Sequence, residues 1–155
     1  MALTVGSPAP DFHLADQEGT MHSLSECKDK WTLLYFYPKD ATPGCTVEAQ
    51  TIRDAWPDFT GMNITVFGIS ADSVASHKKF ADNHGLPFTL LADEQKEMVQ
   101  AYGVWGKKKM MGREYDGIFR TSFLIAPDGT IAHIYENVKP SEHAAQVLAD
   151  VKAHS

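Results

Sequence analysis

Trp31-Thr32-Leu33-Leu34-Tyr35-Phe36-Tyr37 is a nearly unbroken apolar and aromatic run, closed by Pro38. A strand that faces water on one side alternates polar and apolar residues. A run apolar on both faces needs cover on both, the usual state of a central strand in an α/β sheet. Pro38 ends it, because proline has no N–H to give to a ladder. Elsewhere the chain must therefore provide further strands beside this one and helices to cover them.

Ile64-Thr65-Val66-Phe67-Gly68-Ile69-Ser70 is a second such run, and Phe119–Ile125 and Ile131–Tyr135 predict a third and a fourth strand. Pro127-Asp128-Gly129 between the last two is a hairpin turn, so they should pair antiparallel. Segments around Phe12–Leu14 and Thr20–His22 flank Gln17-Glu18-Gly19 and predict a small hairpin near the start. Helices fill the gaps. One runs from Gly44 to about Trp56, with Val47, Thr51 and Ile52 on one face. One is capped by Asp72-Ser73 and runs to His84, stopped by Gly85 and Pro87. Asp93 should cap Glu94 to Tyr102, and Ser141 with Glu142 opens a last helix with Ala145, Leu148 and Val151 on one face. These elements predict an α/β, thioredoxin-like three-layer fold, a central mixed sheet flanked by helices. No repeat, low-complexity tract or linker interrupts residues 1–155, which read as a single domain.

Composition narrows the function. Of 155 residues, 43% are hydrophobic and 22% charged, as in globular proteins, and the formal charge is −6. That balance argues against nucleic acid as a partner, since such binding neutralises phosphates with basic groups. The Lys107-Lys108-Lys109 run lies among Gly106, Gly112 and Gly117 and reads as a solvated loop. No apolar run approaches the roughly 20 residues needed to cross a bilayer, and no signal-peptide pattern opens the chain. A soluble, cytoplasmic protein with no membrane partner is expected. The seven histidines show no metal-binding spacing, so no metal and no cofactor is expected.

Of the two cysteines, Cys45 stands where chemistry is expected. Pro38-Lys39-Asp40-Ala41-Thr42-Pro43-Gly44-Cys45 joins the buried strand to the first long helix. Thr42 lies at the N-cap position, and Pro43 suits the first helical residue, whose N–H has no partner anyway. Cys45 falls in the first turn, where free backbone N–H groups and the positive end of the helix dipole favour a thiolate. The thiolate is the nucleophilic form of cysteine. The loop after a buried strand is also where open α/β sheets place their chemistry. A buried structural thiol is the alternative, and a first-turn position after Thr-Pro-Gly suits it poorly.

Pro38-x-x-x-Thr42-x-x-Cys45 resembles the active-site pattern of the peroxiredoxins. Tyr35–Thr46 is similar to their bacterioferritin comigratory protein, or peroxiredoxin Q, branch, as are Ala9-Pro10-Asp11-Phe12, Tyr102–Gly106 and Arg120–Ile125. The resemblance implies reduction of hydrogen peroxide and organic hydroperoxides, with Cys45 attacking the O–O bond and becoming a sulfenic acid. It implies donors around the peroxide: the Thr42 hydroxyl, the N–H groups of Gly44 and Cys45, and a fixed cation. Arg53, eight residues up the helix from Cys45, is about 12 Å away along the axis, and Arg113 sits in the glycine-rich segment. Arg120 occupies the position of the family's active-site arginine. Glu48, one helical turn beyond Cys45, would orient the threonine and arginine by the same resemblance; a solvated surface acid is the alternative.

One departure bears on the second half of the cycle. Many members of the branch carry a resolving cysteine five residues after the first, where this chain has Gln50; others carry it on the next helix, and 73–84 has none. Cys27 precedes a strand of seven residues, some 23 Å long, and Cys45 lies beyond its far end, whereas a disulfide needs Cα atoms within about 7 Å. Cys27 is expected to be an incidental surface thiol. The expectation is a one-cysteine mechanism in a monomer, reduced by an external thiol: thioredoxin, glutaredoxin or glutathione. A peroxide-sensing switch or a thioredoxin-fold binding protein remains the alternative, while thiol–disulfide exchange would ordinarily use a C-x-x-C that the chain lacks.

Overall fold

The computed structural model describes residues 3–110 and 112–154. The apolar run forms β3 (Trp31–Phe36), and its two-sided character is used on both sides. Leu33 and Tyr35, with Tyr37 beyond the strand end, enter one core; Leu34 and Phe36 enter the other. Strand geometry sends successive side chains to opposite faces, and burying each large apolar one contributes about 1.5–3 kcal/mol.

Six more strands complete the sheet around β3: β1 (His13–Asp16), β2 (Met21–Ser23), β4 (Ile64–Ser70), β5 (Thr89–Ala92), β8 (Thr121–Ile125) and β9 (Ile131–Tyr135). Their order is β2-β1-β5-β4-β3-β8-β9. β3, β4 and β5 run parallel, whereas β8, β9, β1 and β2 join antiparallel, giving the expected mixed sheet. On the first face lie α1 (Pro43–Asp54), α2 (Trp56–Gly61), α3 (Val74–His84) and α5 (His143–Ala153). On the other lie the turn Leu24–Cys27 and α4 (Glu97–Ala101).

Local chemistry sets these boundaries. The Ser73 side chain accepts the Ser76 N–H at the start of α3, and Gly85 closes it in the left-handed conformation (φ 58°). Pro57 prevents α1 from continuing, because it lacks an N–H and its ring clashes with the carbonyl four residues back; a new short helix starts at Trp56. Asp93 serves α4 from outside, its carboxylate accepting the N–H groups of Glu97 and Val99.

Several expectations are corrected. β5 replaces what reads as a connection after Pro87. The segment predicted as a loop around Lys107–Lys109 is a ribbon separate from the main sheet, β6 (Trp105–Met110) paired antiparallel with β7 (Arg113–Ile118). β8 begins at Thr121, so Arg120 immediately precedes the strand. Val47 is exposed, and α1 buries Cys45, Glu48, Ala49 and Ile52 instead. On α5 the buried face is Ala144, Val147 and Val151, and Ala145 is exposed. Cys27 is not a surface thiol: it is 5% exposed, and burial raises its pKa. Among the described residues no helix is long and apolar enough to cross a membrane.

Candidate active site

β3 ends against Pro38, and the chain passes through a short loop into α1, with Thr42 extended at the N-cap and Pro43 as the first helical residue. The first ladder bond of α1 runs from the Thr46 N–H to the Thr42 carbonyl at 2.9 Å. Gly44 and Cys45 precede it, so their N–H groups have no acceptor inside the helix. Cys45 is 1% exposed at this helix start and is a free thiol.

Arg120 comes to the sulfur from the residue just before β8, the strand paired with β3. Its Nη2 donates to Cys45 Sγ at 3.2 Å, and its Nη1 donates to Glu48 Oε1 at 2.7 Å. Gly44 makes this approach possible: a Cβ there would lie 3.1 Å from Arg120 Nη2 and 3.9 Å from Pro140 Cγ. Burial works against the charge on Arg120, but Cys45 and Glu48 outweigh it and raise its pKa. The guanidinium thus stays charged, with two of its donors engaged by a sulfur and a carboxyl.

Glu48 is wholly buried, which removes the solvated-acid alternative. Burial pushes its pKa up to about 7, with the Arg120 charge and hydrogen bond pulling the other way. Its Oε2 finds no hydrogen-bond partner among the described residues. Thr42 differs from expectation in detail. Its hydroxyl donates to the Lys39 carbonyl at 2.8 Å and makes no cap bond. With its proton so engaged, the hydroxyl offers lone pairs to a neighbour and acts as an acceptor. Cys45, Gly44, Glu48 and Arg120 therefore converge, while Thr42 and Pro38 flank the loop that leads to them.

Several neighbours lie outside the residues that the sequence pattern marks. Tyr35 is fully buried beneath the site, without a partner for its hydroxyl among the described residues. Burial, then the charges of Glu48 and Cys45, raise its pKa well above the usual phenol value. Its alternation with Tyr37 along β3 was the available signal. His143 is also wholly buried, its ring 5.1 Å from that of Tyr135, and burial lowers its pKa to about 4, so it stays neutral. Lys108 is half-buried on the ribbon, and its ammonium donates to the Ile118 carbonyl at 2.9 Å. Burial and the Arg120 charge lower its pKa, while Cys45 raises it. Arg53 is turned away, bonded to the His84 carbonyl and Asp54.

One group of side chains among the described residues brings possible metal-ligand atoms together: Asp40, Asp72 and His77, within 4.8 Å of one another. His77 Nδ1 lies 2.7 Å from Asp40 Oδ2, and the Asp40 N–H donates to Asp72 Oδ2 at 2.8 Å. These mutual bonds account for their proximity.

Residues 5–134 match the model of the AhpC/TSA family. The chain belongs to that family. Among relatives of this family are peroxiredoxin Bcp of Escherichia coli K12, 43% identical over 153 residues (99% of this chain, 98% of that one), and peroxiredoxin Bcp of Bacillus subtilis, 41% identical over 152 residues (98% and 97%). A PrxQ mutant from Xylella fastidiosa superposes with a TM-score of 0.93 at 35% identity, covering 99% of this chain and 98% of that one. The bacterioferritin comigratory protein of Xanthomonas campestris, studied for its alkyl peroxide reduction activity, superposes with a TM-score of 0.89 at 36% identity, covering 98% and 97%. The chain is therefore a peroxiredoxin of the bacterioferritin comigratory protein or PrxQ branch, a thiol peroxidase with the thioredoxin-like fold. Peroxiredoxins act on hydroperoxides with thiol reductants.

Proposed function

We propose that Cys45 is the peroxidatic cysteine, reducing hydrogen peroxide and organic hydroperoxides by a one-cysteine cycle. The Cys45 thiolate attacks the distal oxygen, the O–O bond breaks, and the leaving oxygen takes a proton to become water or an alcohol. Cys45 is left as a sulfenic acid. An external thiol then forms a mixed disulfide with release of water, and a second thiol frees Cys45. Thioredoxin, glutaredoxin or glutathione would fill that role.

The observation that carries this reading is the 3.2 Å bond from Arg120 Nη2 to Cys45 Sγ, at a helix start whose N–H groups are free. Negative charge spreads over sulfur and both oxygens during the displacement, and preorganised donors aimed at it lower the barrier. In this reading Arg120 and the Gly44 and Cys45 N–H groups are those donors. Thr42 accepts the hydroperoxide's O–H, Glu48 steadies Arg120, and Pro38 turns the chain out of β3.

The resolving step is read from the placement of the second thiol. Cys45 belongs to the core on one face of the sheet and Cys27 to the core on the other, which favours an external reductant. The two free thiols also suit a reducing, cytoplasmic setting, and the protein would work there as a monomer.

Peroxide consumption with dithiothreitol tests the first half, comparing wild type with Cys45→Ser and Arg120→Ala. Wild type no faster than Cys45→Ser excludes catalysis and leaves the sensing role. Mass spectrometry after stoichiometric peroxide tests the second half. A sulfenic acid or an external mixed disulfide at Cys45 is expected, and an intramolecular Cys27–Cys45 bridge would overturn the one-cysteine cycle.

A further inference from the structure

We infer that the buried Asp40–His77 pair is a positioning device for peroxide reduction, holding the Pro38–Thr42 loop so that the Thr42 hydroxyl stays in place beside Cys45. This rests on the roles proposed above for Cys45 and Thr42. It assigns work to a polar cluster that the reaction itself does not touch.

The loop carries a backbone conformation that ordinary residues avoid. Ala41 has φ 63°, in the left-handed region, which costs a residue with a Cβ about 1–2 kcal/mol. Such conformations persist only where the surroundings over-determine them, and they gather at functional sites. The over-determination is visible on both sides of Ala41. On one side the Asp40 carboxylate, 7% exposed, accepts the Tyr37 hydroxyl at 2.6 Å, the Ser76 hydroxyl at 2.8 Å and His77 Nδ1 at 2.7 Å. The Asp40 N–H donates to Asp72, which also accepts the Ser70 hydroxyl at 2.7 Å. On the other side Thr42 is tied back to Lys39 and forward to Thr46. The loop is thereby fastened to the end of β3, the end of β4 and the first turn of α3.

His77 makes the fastening directional. It is wholly buried on α3, and its Nε2 lies 2.9 Å from the Leu91 carbonyl on β5, a group that can only accept. Asp40 is held as a carboxylate: burial opposes its charge, but the bonds from His77, Tyr37 and Ser76 outweigh burial and lower its pKa. Both ring nitrogens are thus engaged, Nδ1 beside the Asp40 carboxylate and Nε2 beside the Leu91 carbonyl. A buried charged group is a poor source of stability compared with apolar packing, and its attested use is to fix one arrangement among several. Here that arrangement is the path of the chain into α1. Thr42 lies two residues beyond Asp40, so an error in Asp40 is passed through Ala41 to the hydroxyl that meets the peroxide.

The test separates positioning from mere support, in a Cys27→Ala background so that one thiol reports. Asp40→Asn keeps the shape and removes the charge. Two rates are measured on the reduced protein: oxidation of Cys45 by hydrogen peroxide, and alkylation of Cys45 by iodoacetamide, which needs the thiolate but not Thr42. The expected result is a loss of about 10-fold or more in the peroxide rate, with alkylation held within about threefold. Should Asp40→Asn fail to fold, Asp72→Ala, which removes the acceptor of the Asp40 N–H and the Ser70 hydroxyl, is expected to show the same split in smaller measure. Equal losses in both rates, or a peroxide rate within about twofold of the parent, would overturn the positioning role. A parent protein oxidised no faster than its Cys45→Ser counterpart would sink the assignment of Cys45 and this inference with it.

Discussion

Glu48→Gln separates the burial of a charge from the burial of a hydrogen bond. Glu48 is wholly buried, holds Arg120 through Oε1 and has a pKa of about 7, against an ordinary value of 4.5. A carboxyl whose pKa is raised on folding binds its proton more tightly in the native state. Its contribution to stability is complete below the unfolded value and is lost as the pH rises through about 7. The difference between the two values corresponds to about 3 kcal/mol. Most of that falls between about pH 5 and pH 8. Glutamine can still accept the bond from Arg120 and never ionises, so in the variant this loss vanishes. Urea unfolding of the reduced proteins at the two pH values reads the effect. Wild type should lose about 2–3 kcal/mol more than Glu48→Gln on going to the higher pH. Equal losses in the two proteins would refute the reasoning, because they would mean that Glu48 is ionised throughout.

Gly44→Ala places a Cβ 3.1 Å from Arg120 Nη2 and forces the guanidinium back from the sulfur. Peroxide oxidation of Cys45 should slow about 10-fold while stability moves by less than about 1 kcal/mol; an unchanged rate would count against the arginine's role. Gly68→Ala would set its Cβ 2.6 Å from Tyr35 Cζ and 2.9 Å from Leu90 Cδ2, in the middle of the sheet. A stability loss of about 1–3 kcal/mol or more is expected from urea melts, and an unmoved midpoint would show that Tyr35 is free to step aside. Cys27→Ala should cost about 1 kcal/mol through the cavity it leaves, with peroxidase turnover within about twofold of wild type. A collapse of turnover in that variant would return Cys27 to the cycle.

The parts of the fold that were legible are those where hydrophobic period and burial agree. β3, β4 and β9 stand where their apolar runs are, because a strand covered on both faces leaves no other reading. The β6–β7 ribbon stands apart from the main sheet, so it needs no alternating apolar face, and Lys107-Lys108-Lys109 reads as loop. Cys27 is flanked by Glu26 and Lys28, which hide the inward turn of the short helix that buries it. In the site, the position of Cys45 was legible because helix starts announce themselves locally through Thr42, Pro43 and Gly44. The pairing of Arg120 with Glu48 spans 72 residues, and that of Asp40 with His77 spans 37. No local spacing encodes either. Those two contacts exist only once the sheet has brought its strand ends together.

A seven-stranded sheet is also an insulator. Cys45 belongs to the core on one face and Cys27 to the core on the other, with the strands between them. If Cys45 works by the one-cysteine cycle proposed above, each molecule stores one two-electron oxidation at one atom. The surrounding pool of reductant, rather than the protein itself, would then be the capacitor of the reaction.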